Sequence, residues 1–140
     1  MKTLVFAGIL ALSAHCASAQ SDVKVWTRLV GGGGGDQGFA VAADNFGNGI
    51  IAGATQSSLA GGNAGAWDLF VAKYDAAGNL VWLRQRGTPQ KDFAYGVAAD
   101  PSGNIYVTGY TMGGLDGNSH IGANTYCQVR RIAYFFLDKV

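Results

Sequence analysis

The sequence predicts an all-β protein: about two four-stranded antiparallel blades, an incomplete propeller, following an N-terminal signal peptide. Three observations carry this. The chain nearly repeats itself at an offset of 56 residues, the separation of Trp26 from Trp82. Beyond the N-terminus the apolar residues come in short runs of strand length, without helical spacing. A turn pattern, Asp-x-x-Gly-Asn, occurs at Asp44, Asp75 and Asp100.

At that offset Val25-Trp26-Thr27-Arg28 returns as Val81-Trp82-Leu83-Arg84, and Val41-Ala42-Ala43-Asp44 as Val97-Ala98-Ala99-Asp100. Gly31, Asp36, Gly47-Asn48, Gly53, Thr55, Leu59 and Gly61 also recur, as Gly87, Asp92, Gly103-Asn104, Gly109, Thr111, Leu115 and Gly117. A period of about 50 residues is that of propeller blades or stacked arrays, in which each unit needs neighbours to bury its faces. The repeats run over about 25–80 and 81–140, within a domain of residues 20–140.

In chain order, residues 1–19 read as an export signal. Lys2 supplies positive charge, residues 4–12 an apolar run, and Ala17-Ser18-Ala19 a small-residue cleavage site ahead of Gln20. The run is too short to span a bilayer, which takes about 20 residues. His15 before Cys16 argues against lipidation of that cysteine. The expected location is therefore secreted or in the cell envelope.

Residues 23–29 correspond to a fourth strand standing alone. The glycine run at 31–35 reads as a flexible inter-strand loop; a phosphate cradle would need a following Lys-Ser/Thr and a helix, and Asp36-Gln37-Gly38 follows instead. Strands are then predicted over 38–43, 50–55, 69–74 and 80–85, and in the next repeat over 93–99 and 105–111. In each Asp-x-x-Gly-Asn segment the Asp can accept a hydrogen bond from the amide two residues on, and the Gly can take positive φ to close a hairpin. One carboxylate per loop is too few for the several oxygens of an EF-hand-like calcium site.

Three blocks carry a family resemblance. They are Asp92-Phe93-Ala94-Tyr95-Gly96-Val97-Ala98-Ala99-Asp100, then Gly103-Asn104-Ile105-Tyr106-Val107-Thr108-Gly109-Tyr110-Thr111, and Asp68-Leu69-Phe70-Val71-Ala72-Lys73-Tyr74-Asp75 followed by Gly78-Asn79 and Trp82. Together they resemble the SBBP-type β-propeller repeat over about residues 23–117. The resemblance implies four-stranded blades around an axis. It implies no enzymatic activity and carries no catalytic residues over.

After Gly117 the match fades, and one inserted residue restores only Gly122-Ala123 against Gly65-Ala66. Residues 124–131 occupy the third-strand place without its pattern. The strand at 23–29 is expected to complete the last blade. Two blades are fewer than the four to eight of a closed ring, so self-association or membership of a longer propeller is expected.

After cleavage the chain holds nine Lys and Arg against nine Asp, and no Glu. A neutral chain lacks the electrostatic footprint of a nucleic-acid or anionic-membrane binder. Cys127 alone remains of the cysteines, which leaves no internal disulfide. His120 is the one remaining histidine, and a lone His with a lone Cys is neither a zinc set nor a convincing nucleophile and base. Asp36 and Asp92, or Asp44 and Asp100, could be paired carboxylates, but acid and base need different environments and repeat-equivalent residues share one. The prediction is no enzyme and no cofactor.

The aromatics have two readings. Trp26 with Trp82, and Phe39 with Tyr95, occupy matching strand positions, where packing between blades is the ordinary role. Stacking of sugar rings is the other. Trp26, Trp67 and Trp82 are the candidate ligand-binding residues, with Trp67 expected to be the exposed one. Residues 135–137 read as a last strand or an apolar partner surface. The expected function is that of an exported, non-enzymatic repeat protein in structure, adhesion or protein interaction. The alternative is a small lectin that oligomerises to complete a propeller. Expected partners are the chain itself, other extracellular proteins or glycans, with no nucleic acid and no membrane span.

Overall fold

The structure, a computed structural model, describes residues 26–117, 119 and, as backbone alone, 125–132. The expected signal segment, His120 and residues 135–137 lie outside the described residues, as do Val23 to Val25 of the expected first strand. Among the described residues no helix is long and apolar enough to cross a membrane.

Seven strands form two antiparallel sheets. The first joins β1 (Asp36–Ala43), β2 (Gly49–Thr55), β3 (Asp68–Tyr74) and β4 (Leu80–Arg86) in that spatial order. The second joins β5 (Asp92–Ala99), β6 (Ile105–Thr111) and β7 (Thr125–Ile132). A short 3-10 turn, Leu115–Gly117, lies between β6 and β7. The fold class expected from the sequence is the one found: all-β, with sequential antiparallel strands as in propeller blades. The sequence repeat and the blade are out of phase, because β4 opens the second repeat yet pairs back onto β3.

The hairpins follow from their turns. In the first, Phe46 N and Asn48 N both donate to Asp44 Oδ1 while Asn48 Nδ2 donates to Oδ2. The same three bonds recur at Asp75 and at Asp100. Gly47, Gly78 and Gly103 take φ of 77°, 81° and 81°, which side chains other than Gly disfavour. Each carboxylate is thereby spent on its own turn.

Cross-strand register decides which face of the first sheet is covered. Ala40 pairs with Ala52, and Ala52 with Val71, so these share one face. With Ile50, Leu69 and Trp82 they pack against Ala94, Val97, Ala99, Ile105 and Val107 of the second sheet. β5 accordingly lies against β1, β2 and β3. At the repeat offset, Ala94, Val97, Ala99 and Val107 correspond to Gly38, Val41, Ala43 and Ile51, which lie on the opposite face of the first sheet. Each blade thus offers one face to the blade before it and the other to the blade after it. Val41, with no blade in front of it, is 75% exposed, whereas its equivalent Val97 is packed in the core.

The expected strand at 23–29 is corrected where it is described. Residues 26–30 form no strand, and instead of completing the last blade Trp26 lies on the first. Its ring sits 5.8 Å from that of Tyr74 and fills the space that a Cβ on Gly78 would need. Trp26 and Trp82 match in sequence, but among the described residues no strand like β3 precedes Trp26, and the two take different roles. The third strand of the second blade is formed by β7, in which the register with β6 skips Cys127.

Candidate functional site

All the connections between the hairpins emerge at one end of the blades, and three aspartates stand at that end. Asp36, Asp68 and Asp92 are the first residues of β1, β3 and β5. Asp92 is buried and accepts from Thr88 N, Thr88 Oγ1 and Thr111 Oγ1. Asp36 repeats the arrangement with Gly32 N and Thr55 Oγ1. Thr55 Oγ1 and Thr111 Oγ1 in turn accept from Ser57 N and Gly113 N. Asp68 Oδ2 accepts from Ala64 N and from Gln85 Nε2, and its Oδ1 is packed on Gly87, where a Cβ would overlap it. These carboxylates hold loops to strands.

At the other end, Asp44 is buried and paired with Lys73, Nζ to Oδ2 2.8 Å. Burial raises its pKa, but the Lys73 ammonium, Asn48 and the turn amides together hold it far below the usual carboxylate range. Asp75 and Asp100 are lowered too, chiefly by the side-chain amides of Asn79 and Asn104. Low pKa values of this origin describe acceptors in turns, not proton donors. Among the described residues no three of His, Cys, Asp and Glu gather to hold a metal ion.

The remaining concentration of unusual chemistry is aromatic, and it lies on the seam between the two blades. The register of β1 with β2 shifts between Gly38 and Ala40, and that of β5 with β6 between Ala94 and Gly96. The residues left out of the ladders are Phe39 and Tyr95, which are repeat-equivalent. A bulge re-aims the side chain it carries. Here the two rings meet edge to face across the seam, centroids 5.0 Å apart and planes at 61°. Phe93 lies parallel to Tyr95 at 5.8 Å and 4°, and Trp67 stacks on Phe93 at 5.6 Å and 26°. Tyr110 completes the group, 6.0 Å from Phe93. Phe39 and Tyr95 remain 40% and 52% exposed.

The glycine run explains how Trp67 is seated. A Cβ on Gly35 would fall 2.9 Å from the Trp67 indole and 2.7 Å from Gln56 Oε1. Gly34 N and Gly35 N donate to Ser57 Oγ and Gln56 Oε1. The run is an irregular inter-strand loop, mostly exposed, that touches the β2–β3 connection at Gly32, Gly34 and Gly35. Trp67 is further held by the hydrogen bond from Asp92 N to its carbonyl.

Of the three tryptophans singled out by sequence, only Trp67 belongs to this cluster, and it is half-buried instead of exposed, because Gly35 and Phe93 cover it. Trp82 packs into the core between the blades and Trp26 lies on Tyr74, so the structure does not bring the three together. Sequence reasoning paired Phe39 with Tyr95 but assigned neither to a site. The available signal was the break in repetition: Phe93, Tyr110 and Trp67 stand where the other repeat has Gln37, Ala54 and, with the one inserted residue, Asn124.

Residues 81–116 match the family model of SBBP, described as a beta-propeller repeat. The match runs from β4 through β5 and β6 into the 3-10 turn, and it agrees with the resemblance carried by those residues. No curated protein matches the chain. Antiparallel sheets in sequential order, face-to-face stacking of one on the next, and this match agree: residues 81–116 are similar to the SBBP β-propeller repeat.

Proposed function

We propose that the chain is an exported, non-enzymatic repeat protein whose blades act as docking surfaces, in a structural, adhesive or protein-interaction role. One observation carries the reading: Val41 on the edge strand β1 is 75% exposed, whereas its repeat counterpart Val97 packs against the other blade. Phe70, Ala72 and Tyr74 on the same face are buried, so the exposed part is the β1 edge. Apolar positions of this kind mark contact surfaces on soluble proteins. The natural occupant is a further blade, from another copy or from an extracellular partner. The Lys2, apolar and Ala17-Ser18-Ala19 sequence supports export.

Sedimentation of the chain beginning at Gln20 tests this. Association that grows with concentration and is abolished by Val41→Lys is the expected result. A folded monomer at every concentration, unchanged by that substitution, would overturn self-docking. Secretion from an exporting host should yield protein starting at Gln20. A lectin of the same build is the second reading, favoured by the exposed Phe39 and Tyr95 at the seam.

A further inference from the structure

We infer that the aromatic seam is a binding site for an uncharged saccharide, with Tyr95 and Phe39 as the contact rings and Phe93 and Trp67 as their backing. This deepens the lectin reading and does not depend on docking through Val41.

Packing of the blades accounts for only part of the cluster. Phe39 meets Phe93 and Tyr95 across the seam and Trp67 stacks on Phe93, beside a core of Ala, Val, Ile, Leu and Trp82, yet Phe39 and Tyr95 stay 40% and 52% exposed. Phe93, Tyr110 and Trp67 stand where the other repeat has Gln37, Ala54 and, with the one inserted residue, Asn124. Residues that depart from the repeat are free of the constraint that the repeat imposes, and here three of them converge on one spot. The rings are also held in place beforehand. Trp67 is packed on Gly35, and Phe93 is sandwiched between Trp67 and Tyr95. Aromatic side chains ordered in this way lose little entropy when a ligand arrives.

The class of ligand follows from what surrounds the rings. β1 and β5 are the edge strands of their sheets, which would ordinarily invite an incoming strand. Their bulges fall at Phe39 and Tyr95, and a bulged edge is a poor template for pairing. A polyproline peptide would need open grooves between aromatic rings. The gaps beside Phe93 are filled, with neighbouring centroids at 5.6 and 5.8 Å. What is offered is ring surface. Asp36 and Asp92 at this end are committed to Thr and backbone donors, and the unpartnered Oδ1 of Asp68 is buried against Gly87, so these carboxylates present no oxygen to a ligand at the rings. Exposed Gln37, Gln90 and Lys91 stand in the chain close to the residues that carry the rings. An exposed ring face flanked by hydrogen-bonding residues suits a sugar, which carries C–H groups on its faces and hydroxyls on its rim.

The test titrates the folded chain with cellohexaose, chitohexaose and maltohexaose, followed by calorimetry and by tryptophan fluorescence. Saturable binding to at least one is expected, with a change in tryptophan emission from the stacked Trp67. Tyr95→Ala and Phe39→Ala should each weaken it by about tenfold, the loss of one stacking contact. Tyr95→Phe should retain most of it. Phe46→Ala, in an exposed turn at the opposite end, should leave it unchanged. Matching thermal melts for the exposed-site variants separate lost binding from lost fold. The inference is overturned if none of the three sugars binds. Binding that survives both Tyr95→Ala and Phe39→Ala overturns it equally, as does binding of a proline-rich peptide in place of sugar.

Discussion

The Lys73 ammonium lies 2.8 Å from the Asp44 carboxylate and so ties β3 to the turn between β1 and β2. The side chains are 17% and 2% exposed, which makes this a nearly buried pair rather than a surface one. Its energetics depend on the other donors to Asp44, because an ion pair offsets the cost of burial only when the remaining lone pairs are also satisfied.

The pair predicts an acid sensitivity. The pKa of Asp44 is depressed in the folded state, so its contribution is present above the unfolded value, about 3.9, and is lost as pH falls through the folded value. The melting temperature should therefore fall on acidification below about pH 4, and Asp44→Asn should flatten that slope. Asp44→Ala should cost about 2 kcal/mol at neutral pH. An unchanged acid limb in Asp44→Asn would show that other carboxylates set it.

Two kinds of glycine should respond differently to the same substitution. A Cβ on Gly53 would overlap the Gln37 carbonyl oxygen, and one on Gly109 the Phe93 carbonyl oxygen, both backbone atoms that cannot step aside. Gly53→Ala and Gly109→Ala should each destabilise by about 3 kcal/mol. Gly103 has positive φ but nothing within 4 Å, so Gly103→Ala should cost only about 1 kcal/mol. Urea denaturation of the three variants tests the order, and equal costs would contradict the close approach.

Removing the Asp92 clasp should open the end of the second blade. Asp92→Ala strands the Thr88 amide and hydroxyl and the Thr111 hydroxyl, at a cost of about 3 kcal/mol. Asp36→Ala, at a less buried site with fewer partners, should cost less. Hydrogen exchange read at Thr88 should accelerate in Asp92→Ala ahead of the strand amides. Protection that is unaltered would place the holding force elsewhere.

The turn positions and the six strands from β1 to β6 were legible in the sequence to within a residue or two. Each depends on near neighbours: an Asp accepting amides two and four residues on, a Gly at positive φ, a run of apolar residues between such turns. The core was partly legible. The repeat showed that each blade needs a neighbour, but only sheet stacking shows that Val97 and Val107 are covered while Val41 is not. The site was barely legible. Composition marked the tryptophans, whereas the rings that meet are mainly Phe and Tyr, brought together by two bulges and a seam.

By itself the sequence determined the blade: alternating strands, the turns that join them and the repeat that sets one unit beside another. All of these arise from interactions within a hairpin or between adjacent strands, so local residue order suffices to specify them. The tertiary structure alone decided which copy of a repeated residue does what. Trp82 lies on β4 beside β3 and packs against the core, while Trp26, outside any strand, settles on Tyr74. Phe39 and Tyr95 stand 56 positions apart in the chain and 5.0 Å apart in space. That meeting depends on the angle and register at which one sheet stacks on another, a property of two surfaces that no stretch of sequence carries alone.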